Sequence, residues 1–243
     1  MRSKASSGNI DHGTGRLNRS QILRLCAALF GTTPIAAPCH TWAIESPRFA
    51  AFLDAYQGKI GKKLRGITDN DGYLDLLAEL DVAHRLLADR GFTLVYEPYL
   101  AEHQRGPDFG VTFKTHTPFT IEVRHLRPSA TDVYPRLAAV LAEKLRQLPA
   151  STPNVLVVKN ETGSVIAPEH LQAALNALTA PAQQRDDAAS RRRGFADARD
   201  VLRRIERLSA IAVLDAPPVL FEHPRARHVL SADLRKALAR VLA

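Results

Sequence analysis

Three charged residues in the stretch GPDFGVTFKTHTPFTIEVRHLR, residues 106–127, have types and spacing suited to chemistry. Asp108 opens one run of alternating apolar residues, and Glu122 and Arg124 close the next. Two alternating runs so close in sequence predict a β-hairpin. Because successive side chains point to opposite faces of a strand, Asp108, Glu122 and Arg124 can share one face of that hairpin. The alternative is a plain half-exposed hairpin whose charges face solvent.

A further carboxylate is predicted to point inward from a preceding helix. Residues 72–90 have the pattern of a helix that stops at Gly91. At about 100° per residue, Glu79 lies in the middle of the apolar face of this helix. That face is formed by Leu76, Val82, Ala83 and Leu86. A carboxylate there is costly unless it is paired or binds a metal, so Glu79 is a candidate functional residue.

A cation shows the same anomaly in the next helix. In the helix predicted over residues 133–148, Lys144 falls among leucine and valine side chains. This signal is weaker, because a lysine stem can lie along an apolar surface while its ammonium reaches water. Clustered carboxylates bind a hard cation such as Mg²⁺, which activates water and neutralises phosphate charge. A neighbouring cation then stabilises the negative charge that develops.

These residues must be positioned by an α/β fold, a mixed central sheet with helices on both faces. The predicted helices are 20–30, 47–65, 72–90, 133–148, 168–179, 195–208 and 231–242. The predicted strands are 92–98, 108–114, 119–125, 154–158, 210–215 and 218–222. We expect a disordered N-terminus over 1–19, a helical basic extension over 20–66 and an α/β domain over 67–243, with a solvated loop at 181–194.

The charge distribution is compatible with a polyanionic partner. The net charge is +8, but residues 1–66 carry +7 and residues 67–130 carry −4. Basic flanks around an acidic, metal-binding centre would give this pattern, and so would arginines that merely keep the protein solvated. The stretch GKIGKKLR contains no acid and is the better phosphate-binding candidate; its cations are Lys59, Lys62, Lys63 and Arg65. The arginine-rich residues 190–208 alternate with acids, and a salt-bridged face explains them equally well.

The composition argues against disulfide-rich, zinc-binding and transmembrane proteins. Two cysteines, Cys26 and Cys39, do not make a disulfide framework, and with His12 and His40 they match no compact zinc motif. No apolar run reaches about 18 residues, so we expect no transmembrane helix and a cytoplasmic protein.

The segments PDF and IEVR, after AELDVAHRLLADRGFTLVYEP and before EKLRQL and NVLVV, resemble the PD-(D/E)xK, restriction endonuclease-like nuclease superfamily. The family pattern is Pro-Asp at one strand, then an acidic residue, any residue and lysine on the next. Asp108 and Glu122 match the two acids. Glu79 matches the glutamate that the family often adds from its first core helix. The resemblance covers about residues 72–160.

The resemblance implies a restriction endonuclease-like core and hydrolysis of phosphodiester bonds, in DNA more than RNA. It implies Mg²⁺ or Mn²⁺ at Asp108, Glu122 and Glu79, and it allows a homodimer. The sequence departs from the family at Arg124, where the family has lysine; arginine keeps the charge but does not deprotonate. Either Lys144 supplies the amine, or the chain is an inactive nuclease-like module that binds nucleic acid or protein. Both interpretations stay open.

Overall fold

The structure is a computed structural model, and it describes residues 17–98, 106–128, 133–214 and 217–242. Most of the N-terminus predicted to be disordered, residues 1–19, therefore lies outside the described residues. The chain divides into two compact units, Met1–Thr68 and Asp69–Ala243. Among the helices described, none is long and apolar enough to cross a membrane.

The first unit contains three helices, α1 (Arg19–Phe30), α2 (Ala36–Glu45) and α3 (Pro47–Gly66). Asn18 and Gln21 form a capping box at the start of α1, and Ser46 caps α3 ahead of Pro47. Sequence analysis predicted α1 and α3 but no helix between them. Helix α2 forms there because Cys39 and Ala43, one turn apart, are fully buried.

The second unit is an α/β domain with one six-stranded sheet, as predicted. Its helices are α4 (Asn70–Ala88), α5 (Val133–Leu145), α6 (Pro168–Gln183), α7 (Asp187–Arg192), α8 (Ala198–Ile205) and α9 (Ala232–Leu242). Its strands are β1 (Phe92–Tyr96), β2 (Phe109–Phe113), β3 (Thr117–Leu126), β4 (Asn154–Asn160), β5 (Leu208–Leu214) and β6 (Val219–Glu222). The prediction of a solvated loop over 181–194 is wrong, because most of this segment is helical.

Two side chains explain why the predicted loop is helical. Pro181 has no N–H to donate to the carbonyl of Ala177 one turn earlier, and the guanidinium of Arg193 donates to that carbonyl instead, at 2.6 Å. Helix α6 can therefore continue through the proline to Gln183. Asp186 then caps α7 by accepting the N–H of Ala189 at 2.8 Å.

The sheet is mixed, and its strands lie in chain order from β1 to β6. Strands β1, β2 and β3 form an antiparallel meander; β3, β4 and β5 are parallel; β6 is antiparallel to β5. Helices α4 and α9 pack on one face of the sheet, and α5, α6 and α8 cover the other. The second layer does not continue over the first two strands, where Thr93 and Val95 are exposed.

A buried amide ties together the chain segments around the start of β4. Asn154 is fully buried, and its Nδ2 donates to the carbonyls of Pro149, Thr152 and Arg207 at 2.8–2.9 Å. Its Oδ1 accepts the hydroxyl of Thr120 at 2.6 Å. One side chain thus satisfies polar groups from the loop before β4, from the residue before β5 and from β3.

We expect Asn154→Ala to lower the free energy of unfolding by about 3 kcal/mol, since it leaves several buried polar groups without partners. Urea denaturation would measure the loss. The matched control is Asn176→Ala on the exposed side of α6, where Gln172 supplies a surface hydrogen bond; its expected cost is below about 0.5 kcal/mol. Equal costs for the two variants would contradict the buried network.

Candidate active site

Asp108 directly precedes the first residue of β2, at a point where the neighbouring strand β3 continues. Phe109 pairs with Ile121, which places Asp108 opposite Glu122 and on the same face of the sheet. Beyond this point β3 runs on to Leu126, paired with β4. The Asp108 carboxylate accepts the backbone N–H of Val123 at 2.7 Å. The Asp108 side chain therefore takes the place of a backbone acceptor just before β2 begins.

Glu122 is the most buried carboxylate of the group, with 2% of the residue exposed. The ammonium of Lys144, from α5, donates to its Oε1. Its Oε2 is buried and has no hydrogen-bond partner. Lys144 thus points inward, as its position on the helix predicted, and the carboxylate has one oxygen with an unused bonding capacity.

Glu79 approaches from the opposite layer. It lies on α4, is 6% exposed, and its Oε2 accepts the hydroxyl of Tyr96 at 2.8 Å. Tyr96 is the last residue of β1, on the face that α4 covers. The inward orientation predicted from the helical period is therefore what the structure has.

Neighbouring charges and burial shift the pKa values of Glu122 and Tyr96. Burial raises the pKa of Glu122; Lys144 opposes that rise, and the charge of Glu79 adds to it. Burial also raises the pKa of Tyr96, with a further increase from Glu79 and a smaller one from Asp108. The charge of Glu79 therefore acts on Glu122, the backbone N–H of Asp108 joins Lys144 in opposing the rise, and the three carboxylates of the group outnumber its one ammonium.

Arg124 occupies the position of the family lysine but does not pair with Glu122. It lies two residues beyond Glu122 on the same strand face and is half-buried. Its Nε is buried without a hydrogen-bond partner. The cation that contacts the carboxylate is Lys144. The structure therefore joins Glu122 to Lys144, with Asp108 at the neighbouring strand, Glu79 in the opposite layer bound to Tyr96, and Arg124 beside the pair.

The other predicted cations lie elsewhere. Lys59, Lys62, Lys63 and Arg65 all lie on α3, in the first unit. The Lys59 ammonium lies 5.7 Å from the centre of the Tyr56 ring, and Lys62 and Arg65 are exposed.

Sequence reasoning missed two residues near the site. Sequence analysis gives Tyr96 no role, although its place on the apolar side of β1 points its hydroxyl at the layer that carries Glu79. It gives no role to His125, which directly follows Arg124. His125 is 4% exposed, with Nε2 2.9 Å from a carboxylate oxygen of Glu161. Both faces of β3 are covered, so alternation along this strand does not separate buried from exposed residues.

The donor chemistry suits a hard divalent cation, but the carboxylates are not assembled around one position. No group of three or more histidine, cysteine, aspartate or glutamate side chains within the described ranges is arranged to hold a metal ion. One oxygen each of Asp108, Glu122 and Glu79 accepts a hydrogen bond from the protein. The unpartnered Oε2 of Glu122 and the excess of negative charge are the features that fit a cation.

Comparisons with known proteins found no protein family, no curated protein and no solved structure that matches this chain.

Tyr96→Phe tests whether the hydroxyl supports Glu79. We expect it to lower the free energy of unfolding by about 1.5–3 kcal/mol near neutral pH, because a buried carboxylate loses a hydrogen bond while the ring packing is kept. Chemical denaturation would measure this. In Tyr96→Phe/Glu79→Gln the cost should shrink, because a neutral amide needs the hydroxyl less. Equal costs in the two backgrounds would show that the hydroxyl does not act on Glu79.

Lys144→Met tests the buried ion pair. Removing one partner of a buried pair leaves an uncompensated charge, so we expect a loss of about 3 kcal/mol at pH 7. Adding Glu122→Gln should recover most of that loss. Denaturation of both single variants and the double variant gives the coupling energy.

The raised pKa of Glu122 determines how the stability lost in Lys144→Met changes with pH. A carboxyl whose pKa is raised in the folded state favours folding most when protonated, so its contribution is lost as the pH rises above its ordinary value. In Lys144→Met the opposing charge is gone and the pKa rises further. The deficit of this variant should therefore shrink towards low pH, and a deficit independent of pH would contradict the role given to Glu122.

Proposed function

We propose that the chain is a metal-dependent nuclease that hydrolyses phosphodiester bonds of DNA or RNA, with DNA favoured. The observation that carries the proposal is the meeting of Glu122 and Lys144, beside Asp108 and within electrostatic reach of Glu79. Burying two carboxylates beside a half-buried carboxylate and a half-buried ammonium is costly for a domain that needs only a stable core. Such a cluster is typical of a catalytic site.

A restriction endonuclease-like core is part of this proposal. The order of elements supports it: helix α4, the antiparallel strands β1 to β3, helix α5, and β4 parallel to β3. Asp108 directly before β2 and Glu122 within β3 also support the proposal, because the resemblance expects one acid at each of two neighbouring strands.

The reaction requires a water oxygen to attack phosphorus while the bond to the leaving oxygen breaks. The attacking water loses a proton, and the leaving oxygen gains one. Asp108, Glu122 and Glu79 would hold Mg²⁺ or Mn²⁺, which when bound makes the water more acidic and neutralises phosphate charge. Asp108, half-buried at the open end of β2, is the member of this set that solvent reaches most easily.

Two cations of the chain would act on the phosphate. Lys144 already lies at the Glu122 carboxylate and would supply the amine of the missing motif lysine, orienting the water or stabilising developing negative charge. Arg124 has an unpartnered Nε on the same face and would donate to a phosphate oxygen. On this proposal the amine moved from strand β3 to helix α5, and arginine kept the charge at the vacated position.

The second candidate is a nuclease-like module without catalytic activity, which binds nucleic acid or protein. The observation that favours it is the direct pairing of Lys144 with Glu122, which uses the amine and one carboxylate oxygen within the protein. This candidate predicts binding without cleavage.

A nuclease assay separates the two candidates. Plasmid, linear and single-stranded DNA and RNA would be incubated with the protein in Mg²⁺, Mn²⁺ or EDTA. We expect metal-dependent cleavage that falls roughly 100-fold or more in Asp108→Asn and in Glu122→Gln, because each substitution removes a charged ligand. Glu169→Gln, an exposed carboxylate at the start of α6, is the matched control and should leave the rate unchanged.

Lys144→Ala and Arg124→Ala then locate the working cation. We expect the larger loss of rate in Lys144→Ala, measured under conditions where circular dichroism shows both variants folded. The absence of cleavage with every substrate and metal would favour the second candidate. Cleavage that survives in Asp108→Asn would exclude this site as its source.

A further inference from the structure

Five arginines converge at the start of the fifth strand, on the side of the sheet that α5 and α8 cover. They are Arg146, Arg203, Arg204, Arg207 and Arg227, and together we call them the arginine surface. Arg204 donates to the carbonyl of Arg146 at 2.9 Å. Arg207 donates to the carbonyl of Leu148 at 3.0 Å. These bonds hold the end of α8 against the chain that leaves α5, so two segments of the sequence share the surface.

A third segment joins after β6. The N–H of Arg227 donates to the carbonyl of Glu206 at 2.6 Å, which places this arginine beside the end of α8. Arg146, Arg203 and Arg227 are exposed, whereas Arg204 and Arg207 are half-buried. The arginine surface therefore presents guanidinium groups to solvent on a base of partly buried ones.

Negative charge on this surface is too scarce to balance the arginines. Asp200 is buried, and its carboxylate accepts from Arg203 at 2.7 Å and from Arg204 at 2.8 Å. Glu206 is the other carboxylate of α8 and its end. Five guanidinium groups against these two carboxylates leave an excess of three positive charges.

The positive charges that lack a counter-charge belong to three arginines of this surface. Among the described residues, Arg146, Arg207 and Arg227 make no salt bridge. Burial lowers the pKa of Arg207, and so do Arg204 and Arg203, which shows that the like charges act on one another. The acids interspersed in the sequence are compatible with a salt-bridged face, but in three dimensions they neutralise only part of it. Like charges held together without counter-charges are typical of a surface that binds a polyanion.

The arginine surface begins close to the candidate active site but contains none of its residues. Lys144 and Arg146 are two residues apart at the end of α5, where Lys144 points inward to Glu122 and Arg146 is exposed. Duplex DNA carries about one charge per 1.7 Å of its axis, so a backbone near Lys144 would offer several phosphates to neighbouring arginines.

We propose that the arginine surface binds the phosphate backbone of a nucleic acid and holds it for the candidate active site. The choice of nucleic acid over another polyanion rests on the proposed function. Contacts of this kind position a nucleic acid without reading its sequence. The surface would therefore determine affinity and its salt dependence, and would leave the chemical step to the carboxylates.

The test compares two double variants of the full chain, each of which removes two positive charges. Arg203→Gln/Arg227→Gln alters two exposed members of the arginine surface. Arg235→Gln/Lys236→Gln alters exposed cations of α9, which packs with α4 on the other face of the sheet. Binding of short fluorescein-labelled duplex DNA, single-stranded DNA and RNA would be measured in EDTA over a range of salt concentrations.

We expect the first variant to bind the preferred nucleic acid on the order of tenfold more weakly at about 0.1 M salt. Its slope of log affinity against log salt should be smaller by about 0.9 for each duplex phosphate that the variant no longer neutralises. The α9 variant should bind almost as tightly as the wild type, and Arg203→Lys/Arg227→Lys should keep most of the slope because it keeps the charge.

Three results would overturn the inference: equal losses in both Gln variants, an unchanged affinity in the first, or no binding of any nucleic acid by the wild type. Equally tight, equally arginine-dependent binding of polyglutamate would also overturn it, in favour of an acidic protein partner. Failure of the proposed function gives a different pattern. Binding that depends on the arginine surface but without metal-dependent cleavage supports the inference and contradicts the nuclease.

Discussion

The buried contact between Glu122 and Lys144 is the interaction on which the candidate site depends. It joins the central strand β3 to the helix that crosses over from it to β4. A carboxylate that is 2% exposed must be neutralised, paired or bound to a cation, and the ammonium of α5 does this in the structure. A ligand that takes over Oε1 of Glu122 must therefore also move Lys144, whereas a cation bound at Oε2 would lie beside the amine, so charge recognition and amine placement are coupled at one carboxylate.

The way in which helices cover the sheet determines where solvent can approach the pair of Glu122 and Lys144. Strand β2 begins at Phe109, opposite Ile121, while β3 continues past that pair, and Asp108, just before β2, accepts the N–H of Val123. The helical layer that covers Glu122 does not extend over β1 and β2. The acids thus lie at a border between a sheet covered on both faces and a sheet covered on one, which lets a charged group be buried and still lie near solvent.

Much of this arrangement could be predicted from residue types and spacing. The helical period placed Glu79 and Lys144 on inward faces, and strand alternation placed Asp108 beside Glu122; in each case a local geometric repeat fixes the direction of a side chain. The α/β class and the mixed sheet followed from the order of elements.

The remaining features depend on contacts that no local pattern contains. The partner of Glu79 is Tyr96, seventeen residues away on a strand whose period marks it only as apolar. Helix α6 passes Pro181 because Arg193 satisfies a carbonyl from sixteen residues further along the chain. That Lys144 rather than Arg124 reaches the carboxylate depends on how α5 packs on the sheet, which the sequence period alone does not determine.

The uncovered face of β1 and β2 affects which substitutions such a protein can accept during evolution. Thr93 and Val95 are exposed, and Gly110 and Thr112 are half-buried, on the face that carries Asp108. Substitutions at exposed positions cost little stability, whereas those in the covered half of the sheet disturb a packed core. Selection can therefore alter what docks beside the acids without rebuilding the fold that holds them.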